Sequence, residues 1–208
     1  MTAPHWTEYA WVDDADVGVE LAVCCLSVAT KITVDEIIGL LPSEHESFSA
    51  SHDDLDDRMM EQRDMHLVGL LQVGDAVVLF EPNGYMGQEL DVMGPVSMGR
   101  DVASYYYGGH GVSGFRWYSN GELRADFEPA QAIGRDDPEI PRALIAATEE
   151  IGGFWLFDGE PDDLPDPDWD SLHTIEGSLA LCEWVTGVRV TKELLRDSTY
   201  QGWATPAP

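Results

Sequence analysis

Asp166-Pro-Asp168-Trp-Asp170 places carboxylates at alternate positions, the pattern by which a loop offers oxygen ligands to calcium. The rest of the spacing fails. An EF-hand loop needs Gly sixth and a bidentate Glu twelfth, where this chain has Ser171 and Gly177, with Glu176 one place early. A solvated acidic loop is the better reading. His45-Glu46 and His52-Asp53-Asp54 combine imidazole with carboxylate, a ligand set suited to zinc or manganese. They fall in a Ser-rich stretch that reads as a mobile loop, so no metal site is assigned. Cys24 and Cys25 are adjacent, so their side chains diverge, and with Cys182 they read as buried packing residues. His110 with Ser104 and Ser113, beside Gly108-Gly109, supplies a base and two hydroxyls. Yet the chain has no Gly-x-Ser-x-Gly elbow, and its Gly-rich loop lacks the Lys-Ser/Thr end of a phosphate cradle. No catalytic residue and no cofactor is therefore assigned.

Charge says more than motifs. The 208 residues carry 39 acids and 11 bases, a formal net charge of −28, and only two of the bases are lysines, Lys31 and Lys192. Such a surface repels phosphate backbones and anionic lipid heads, and it steers basic partners in at low salt. A bland alternative is that salt adaptation or genome composition set the charge for solubility alone. The acids are concentrated, however. Asp158, Glu160, Asp162, Asp163, Asp166, Asp168 and Asp170 occupy thirteen positions with no base, and prolines 161, 165 and 167 favour an extended backbone there. A second acidic cluster runs from Glu44 to Asp64. The first run, with Tyr105 and Tyr107 as a wet aromatic patch, is the expected partner-binding surface.

The elements that must carry these residues follow from local pattern. At 44% hydrophobic and 10% aromatic the chain can bury a core, and its length suits a single domain over 1–208. No run of 18 apolar residues exists, and the start, Met-Thr-Ala-Pro-His-Trp, lacks the basic and apolar regions of a secretory signal. Three cysteines make no disulfide framework, which points to the cytoplasm. Trp6, Tyr9 and Trp11 suggest an arm docked on the core. Val17 to Ala29 reads as a buried helix, although Val17, Val19, Leu21 and Val23 also alternate like a strand. Thr33-Val-Asp-Glu36 is a capping box for a short helix ending at Leu41-Pro42.

Residues 43–57 and 158–170 read as acidic loops. The centre is β-rich: His66–Val73 and Ala76–Glu81 flank Gly74-Asp75, Val102–Tyr107 follows, and Phe115–Ser119 and Glu122–Glu128 flank Asn120-Gly121. Alternation across that last turn predicts one buried and one wet face, with Arg116 and Tyr118 on the wet side. Asp137-Pro138 should start a helix that Gly152-Gly153 ends, Thr174–Thr186 another, and Thr191 should cap a last one. Two corners also echo each other, each an apolar helix followed by a Thr-capped helix. The sum is α+β: a central antiparallel sheet, a meander of hairpins, packed by N- and C-terminal helices.

Several pieces together resemble an actinobacterial family of uncharacterised cytoplasmic domains. They are Tyr9-Ala-Trp11, Cys25-Leu-Ser-Val28 with Thr33-x-x-Glu36, Val77-Val-Leu-Phe-Glu-Pro-Asn-Gly84, and Leu179-Ala-Leu181 with Val185 to Leu195. The resemblance spans most of the chain and implies a fold and a taxon, with no activity attached. The function expected from the charge is non-catalytic: binding and restraining a basic protein partner, as an immunity protein or antitoxin does. The alternatives are a DNA mimic that occupies a nucleic-acid-binding groove, and a metal-assisted hydrolase built on His45, His52 and the carboxylates between them. Direct nucleic-acid or membrane binding is not expected.

Overall fold

The structure, a computed structural model, describes residues 2–13, 21, 23–41, 45–62, 64–108, 112–158 and 166–206. Its strands are β1 (Cys24–Ala29), β2 (Glu46–Ala50), β3 (Met65–Val73), β4 (Ala76–Pro82), β5 (Asp101–Tyr107), β6 (Ser113–Ser119), β7 (Glu122–Phe127), β8 (Ile133–Gly134), β9 (Leu156–Phe157) and β10 (Tyr200–Pro206). The helices are α1 (Val34–Leu40), α2 (His52–Glu61), α3 (Leu90–Val96), α4 (Arg142–Ile151), α5 (Thr174–Thr186) and α6 (Lys192–Asp197). Eight strands form one antiparallel sheet in the order β2-β10-β3-β4-β1-β5-β6-β7, and β8 and β9 pair in parallel beside it. The fold is α+β, as expected.

Both faces of the sheet are covered. One core gathers Leu26, Val28, Phe80, Tyr105 and Phe115 from the strands against Leu55 of α2, Leu144 of α4, Leu179 of α5 and Leu195 of α6. The other packs Val68, Leu79, Val102, Tyr118 and Trp203 against Ile37 of α1 and Met93 and Val96 of α3. The aromatic arm docks as expected: residues Trp6–Asp13 form a 3-10 helix on the first face. Trp6 stacks on His173 at 3.5 Å, and the Tyr9 hydroxyl donates to Glu183 at 2.7 Å.

Local signals set several elements. The Thr33–Glu36 capping box is present, with the Thr33 N–H donating to Glu36 Oε2 at 2.8 Å. Asn120 and Gly121 both take positive φ, 55° and 83°, as a type I′ hairpin requires. Gly187 closes α5 in the left-handed conformation, and the Thr191 hydroxyl accepts from Leu194 N–H to cap α6.

Four expectations are corrected. Residues 24–29 form a strand rather than the end of a helix. β1 lies between β4 and β5 with both faces buried, so it shows no polar alternation to mark it. Its being a strand also ends the echo between the two corners. The described part of 43–57 is not a loop: β2 pairs with β10, and α2 starts at Ser51, whose hydroxyl accepts from Asp54 N–H at 3.1 Å in a second capping box. Tyr118 is fully buried, because α3 covers the face expected to be wet. Finally, α4 starts at Arg142 rather than near Pro138, after a series of turns ending at Pro141.

Among the described residues no helix is long and apolar enough to cross a membrane.

Candidate functional site

The expected partner surface divides on inspection. Asp166, Asp168 and Asp170 are exposed, and Asp158 reaches Arg135 at 2.9 Å; Glu160, Asp162 and Asp163 lie outside the described residues. Around them, Trp169–Ser171 forms one 3-10 turn, with the Ser171 hydroxyl donating to the Asp168 carbonyl at 2.8 Å. Tyr105 does not belong to that surface. It is 1% exposed beneath α5, where burial drives its phenol well above the ordinary tyrosine range, and Tyr107 is half-buried on the same core. On an inner strand a tyrosine facing a covered side becomes core, whatever its affinity for interfaces.

The other constellations also come apart. His52 is buried on α2, its ring 4.5 Å from Phe80 and its Nδ1 3.3 Å from the Tyr200 hydroxyl; burial lowers its pKa. His45 stacks near Trp203, on the opposite face of the sheet, so the two imidazoles cannot share a metal. Among the described residues no three His, Cys, Asp or Glu side chains gather as a metal site would require. Ser104 is fully buried, and His110 lies outside the described residues. Cys24, Cys25 and Cys182 are free and buried, and burial raises their thiol pKa values, which makes them poor nucleophiles.

The surface does offer a groove of about 970 Å³. Its frame is the β8–β9 pair, closed by hydrogen bonds from Ile133 N–H to the Trp155 carbonyl at 2.8 Å and from Arg135 N–H to the Phe157 carbonyl at 3.0 Å. Trp155, Phe157 and Trp169 supply aromatic lining, while Asp136, Asp137, Glu139 and Asp158 bring carboxylates to the same groove. Arg135, the one arginine lining it among the described residues, is held between Glu149 at 2.5 Å and Asp158 at 2.9 Å. Those bonds raise its pKa, Glu149 contributing most, and satisfy its charge from within. Trp169 is 69% exposed, an unusual state for an indole. The groove is thus apolar at its walls and net acidic around them.

A second polar region lies inside. Glu81 is 1% exposed on β4, and its carboxylate accepts from the N–H groups of Met86 at 2.8 Å and Gly87 at 2.9 Å. Burial outweighs both bonds and pushes its pKa up to about 7. Cys25 and Ser27 of β1, Ser104 of β5 and Gln88 continue this cluster across the sheet. Its members are buried, and through the Glu81 bonds to Met86 and Gly87 it holds the Met86–Gln88 turn against the sheet.

Of the described residues of the acidic run only Asp158 lines the groove, joined there by Trp169 from within the same stretch. The sequence signal for the rest was available but weak: aromatic residues 155, 157 and 169 frame the acidic stretch at both ends. Asp136, Asp137 and Glu139 come from a separate segment that only the β8–β9 pairing brings near.

A family model, a family of unknown function (DUF6461), matches residues 2–207. No curated protein and no solved structure matches the chain.

Proposed function

We propose that this chain, which belongs to the DUF6461 family of unknown function, is a non-catalytic acidic interaction protein that binds and restrains a basic protein partner, in the manner of an immunity protein or antitoxin. The observation that carries the reading is the groove beside β8 and β9. Its lining combines Trp155, Phe157 and Trp169 with four carboxylates, and its arginine is already neutralised. Aromatic faces and carboxylates are the complement of an arginine- or lysine-bearing segment, through cation–π contact and charge-assisted hydrogen bonds. The net charge of −28 adds long-range steering to that local fit. Occluding a cationic surface requires charge and shape only. Three free, buried cysteines favour a cytoplasmic setting, and the actinobacterial source rests on the sequence resemblance.

The test uses arginine- and lysine-rich decapeptides titrated against the full chain at low and physiological salt. Binding should weaken with salt, and Trp169→Ala should reduce affinity about ten-fold or more, as loss of a buried aromatic anchor does. A double neutralisation away from the groove, Asp91→Asn with Glu122→Gln, should have a much smaller effect. Equal losses in both variants would mean that the peptides see only net charge, and no binding at low salt would overturn the reading.

A further inference from the structure

The second face of the sheet is apolar under α1 and α3 but becomes polar towards Tyr106 of β5 and the β6–β7 hairpin. There a pocket of about 230 Å³ is lined by Tyr85, Gln88, Tyr106, Gly114, Arg116 and Asp126, with Glu128 also on its wall. Its geometry is built from beneath. Gln88 is 2% exposed, and its Nε2 donates to Ser104 Oγ at 2.8 Å. Ser104 Oγ also accepts from Ser27 Oγ at 2.9 Å, which leaves its own proton for Cys25 Sγ at 3.4 Å. The chain of bonds fixes which end of the Gln88 amide faces inward. The carbonyl end lies against Gly114, where a Cβ would come within 2.8 Å of Gln88 Oε1. A residue other than glycine at 114 would therefore press on the Gln88 carbonyl.

Burying five polar side chains in a row (Cys25, Ser27, Glu81, Gln88 and Ser104) costs stability that an apolar core would not. Gln88 is the member of this network that lines the pocket. Arg116, on the same wall two residues beyond Gly114, pairs its Nη2 with Asp126 at 2.9 Å; its Nε is enclosed with no hydrogen-bond partner among the described residues. Tyr85 and Tyr106 meet edge to face, ring centroids 4.9 Å apart, and give the pocket an aromatic wall. One fixed acceptor, a guanidinium on the same wall and an aromatic wall suit a flat ring with neighbouring donor and acceptor atoms. The carboxylates of Asp126 and Glu128 disfavour an anionic ligand.

We propose that this pocket binds a planar, non-anionic heterocycle of nucleobase size, read by the Gln88 carbonyl and the Arg116 guanidinium against the Tyr85–Tyr106 wall. A pocket of this volume accommodates a base or a nucleoside, and a phosphate would meet the two carboxylates. The site is separate from the groove beside β8 and β9, and neither depends on the other.

The experiment is calorimetric titration of the full chain with adenine, cytosine, guanosine and uridine, each alongside its 5′-monophosphate nucleotide. At least one base or nucleoside should bind with a Kd of about 1 mM or tighter, and its monophosphate should bind about ten-fold more weakly, consistent with the acidic rim. Gly114→Ala should weaken binding about ten-fold by displacing the Gln88 carbonyl, and Arg116→Lys should do the same while keeping the positive charge. The lysine variant keeps the test decisive if Gly114→Ala fails to fold. Absence of binding by all four probes, equal binding of the nucleotides, or affinity unchanged in Arg116→Lys would each overturn the proposal.

Discussion

The Gly87 N–H donates to Glu81 Oε1 at 2.9 Å, and Gly87 has no room for a side chain: a Cβ there would lie 2.3 Å from Ser27 Oγ and 2.6 Å from Cys25 Sγ. The Met86–Gln88 turn is therefore pressed onto the sheet by one buried carboxyl, with backbone rather than side chain at the point of closest approach. A carboxyl in that position is a strong hydrogen-bond acceptor when ionised and cheap to bury when neutral. It cannot have both advantages at once.

That conflict sets a pH dependence. Burial raises the Glu81 pKa from its ordinary 4.5 to about 7, against the opposing hydrogen bonds from Gly87 and Met86. A carboxyl whose pKa is higher folded than unfolded stabilises fully below the unfolded value and loses that contribution as pH rises through the folded one. The change is on the order of 3 kcal/mol between pH 4.5 and pH 7.5. The melting temperature of the wild type should fall across that window. Glu81→Gln should be less stable than wild type at pH 5, where its amide cannot accept both backbone bonds, and should lose most of the pH slope. Parallel slopes in the two proteins would show that Glu81 is not the titrating group.

The β6–β7 turn predicts a second outcome. Gly121 has φ of 83°, and a β-branched residue there is strained whatever surrounds it. A Cβ would also meet Met98 Sδ at 2.6 Å, although Met98 is exposed and can move aside. Gly121→Val should cost about 1–2 kcal/mol of unfolding free energy in denaturant titration. Asn120→Gly should be close to neutral, since glycine also takes that conformation.

What the sequence disclosed follows the range of the interactions. The Thr33–Glu36 box, the Asn120-Gly121 turn and the α5 stop at Gly187 depend on residues within four positions of each other, and all three were legible. β1 was not, because a strand covered on both faces carries the same apolar run as a buried helix. The Ser51-His-Asp-Asp54 signal for α2 was present but masked by the polarity of its surroundings; only Leu55 and His52 are buried on that helix. β10 becomes a strand by pairing with β2 on one side and β3 on the other, and β2 by pairing with β10, a relationship spanning most of the chain. For the same reason Asp158 was legible as part of an acidic run, while its juxtaposition with Asp136, Asp137, Glu139, Trp155 and Phe157 was not. Tyr105 shows the converse: its residue type suggested an interface, and the helix that buries it lies about 70 positions further on.

Two glycines mark where β3 meets β10. Gly69 and Gly202 face each other in register, and a Cβ on Gly69 would lie 2.4 Å from Leu55 Cδ1 and 2.6 Å from Tyr200 Cδ1. A Cβ on Gly202 would strike the Phe48 ring. The space a strand residue normally fills is taken by rings from neighbouring positions, which lets α2 lie close to the sheet. Gly69→Ala should destabilise by about 1–3 kcal/mol through overpacking, measured as a shift in denaturation midpoint with an unchanged m-value. Leu55→Ala in the same background should recover part of that loss by vacating the contested volume, so that the two changes are less than additive. Strict additivity would place the strain elsewhere.

The last prediction concerns the charge itself. Arg58, Arg116, Arg124, Arg135, Arg142, Arg189 and Arg196 each lie within 4.0 Å of a carboxylate. Arg189 takes two, Glu8 at 2.7 Å and Glu183 at 2.9 Å. The few bases are thus largely committed, and with 39 acids against 11 bases most carboxylates have no cation to meet. Salt acts on both populations in opposite directions. It weakens the exposed pairs, each worth little to begin with, and it relieves repulsion among the excess carboxylates, which sums over many pairs of charges. The repulsive sum should win. The melting temperature should rise between about 10 mM and about 150 mM sodium chloride, where the screening length shortens from about 30 Å to about 8 Å. A falling curve would mean that the arginine pairs dominate, and a flat one that the acids already stand far enough apart for water alone to screen them.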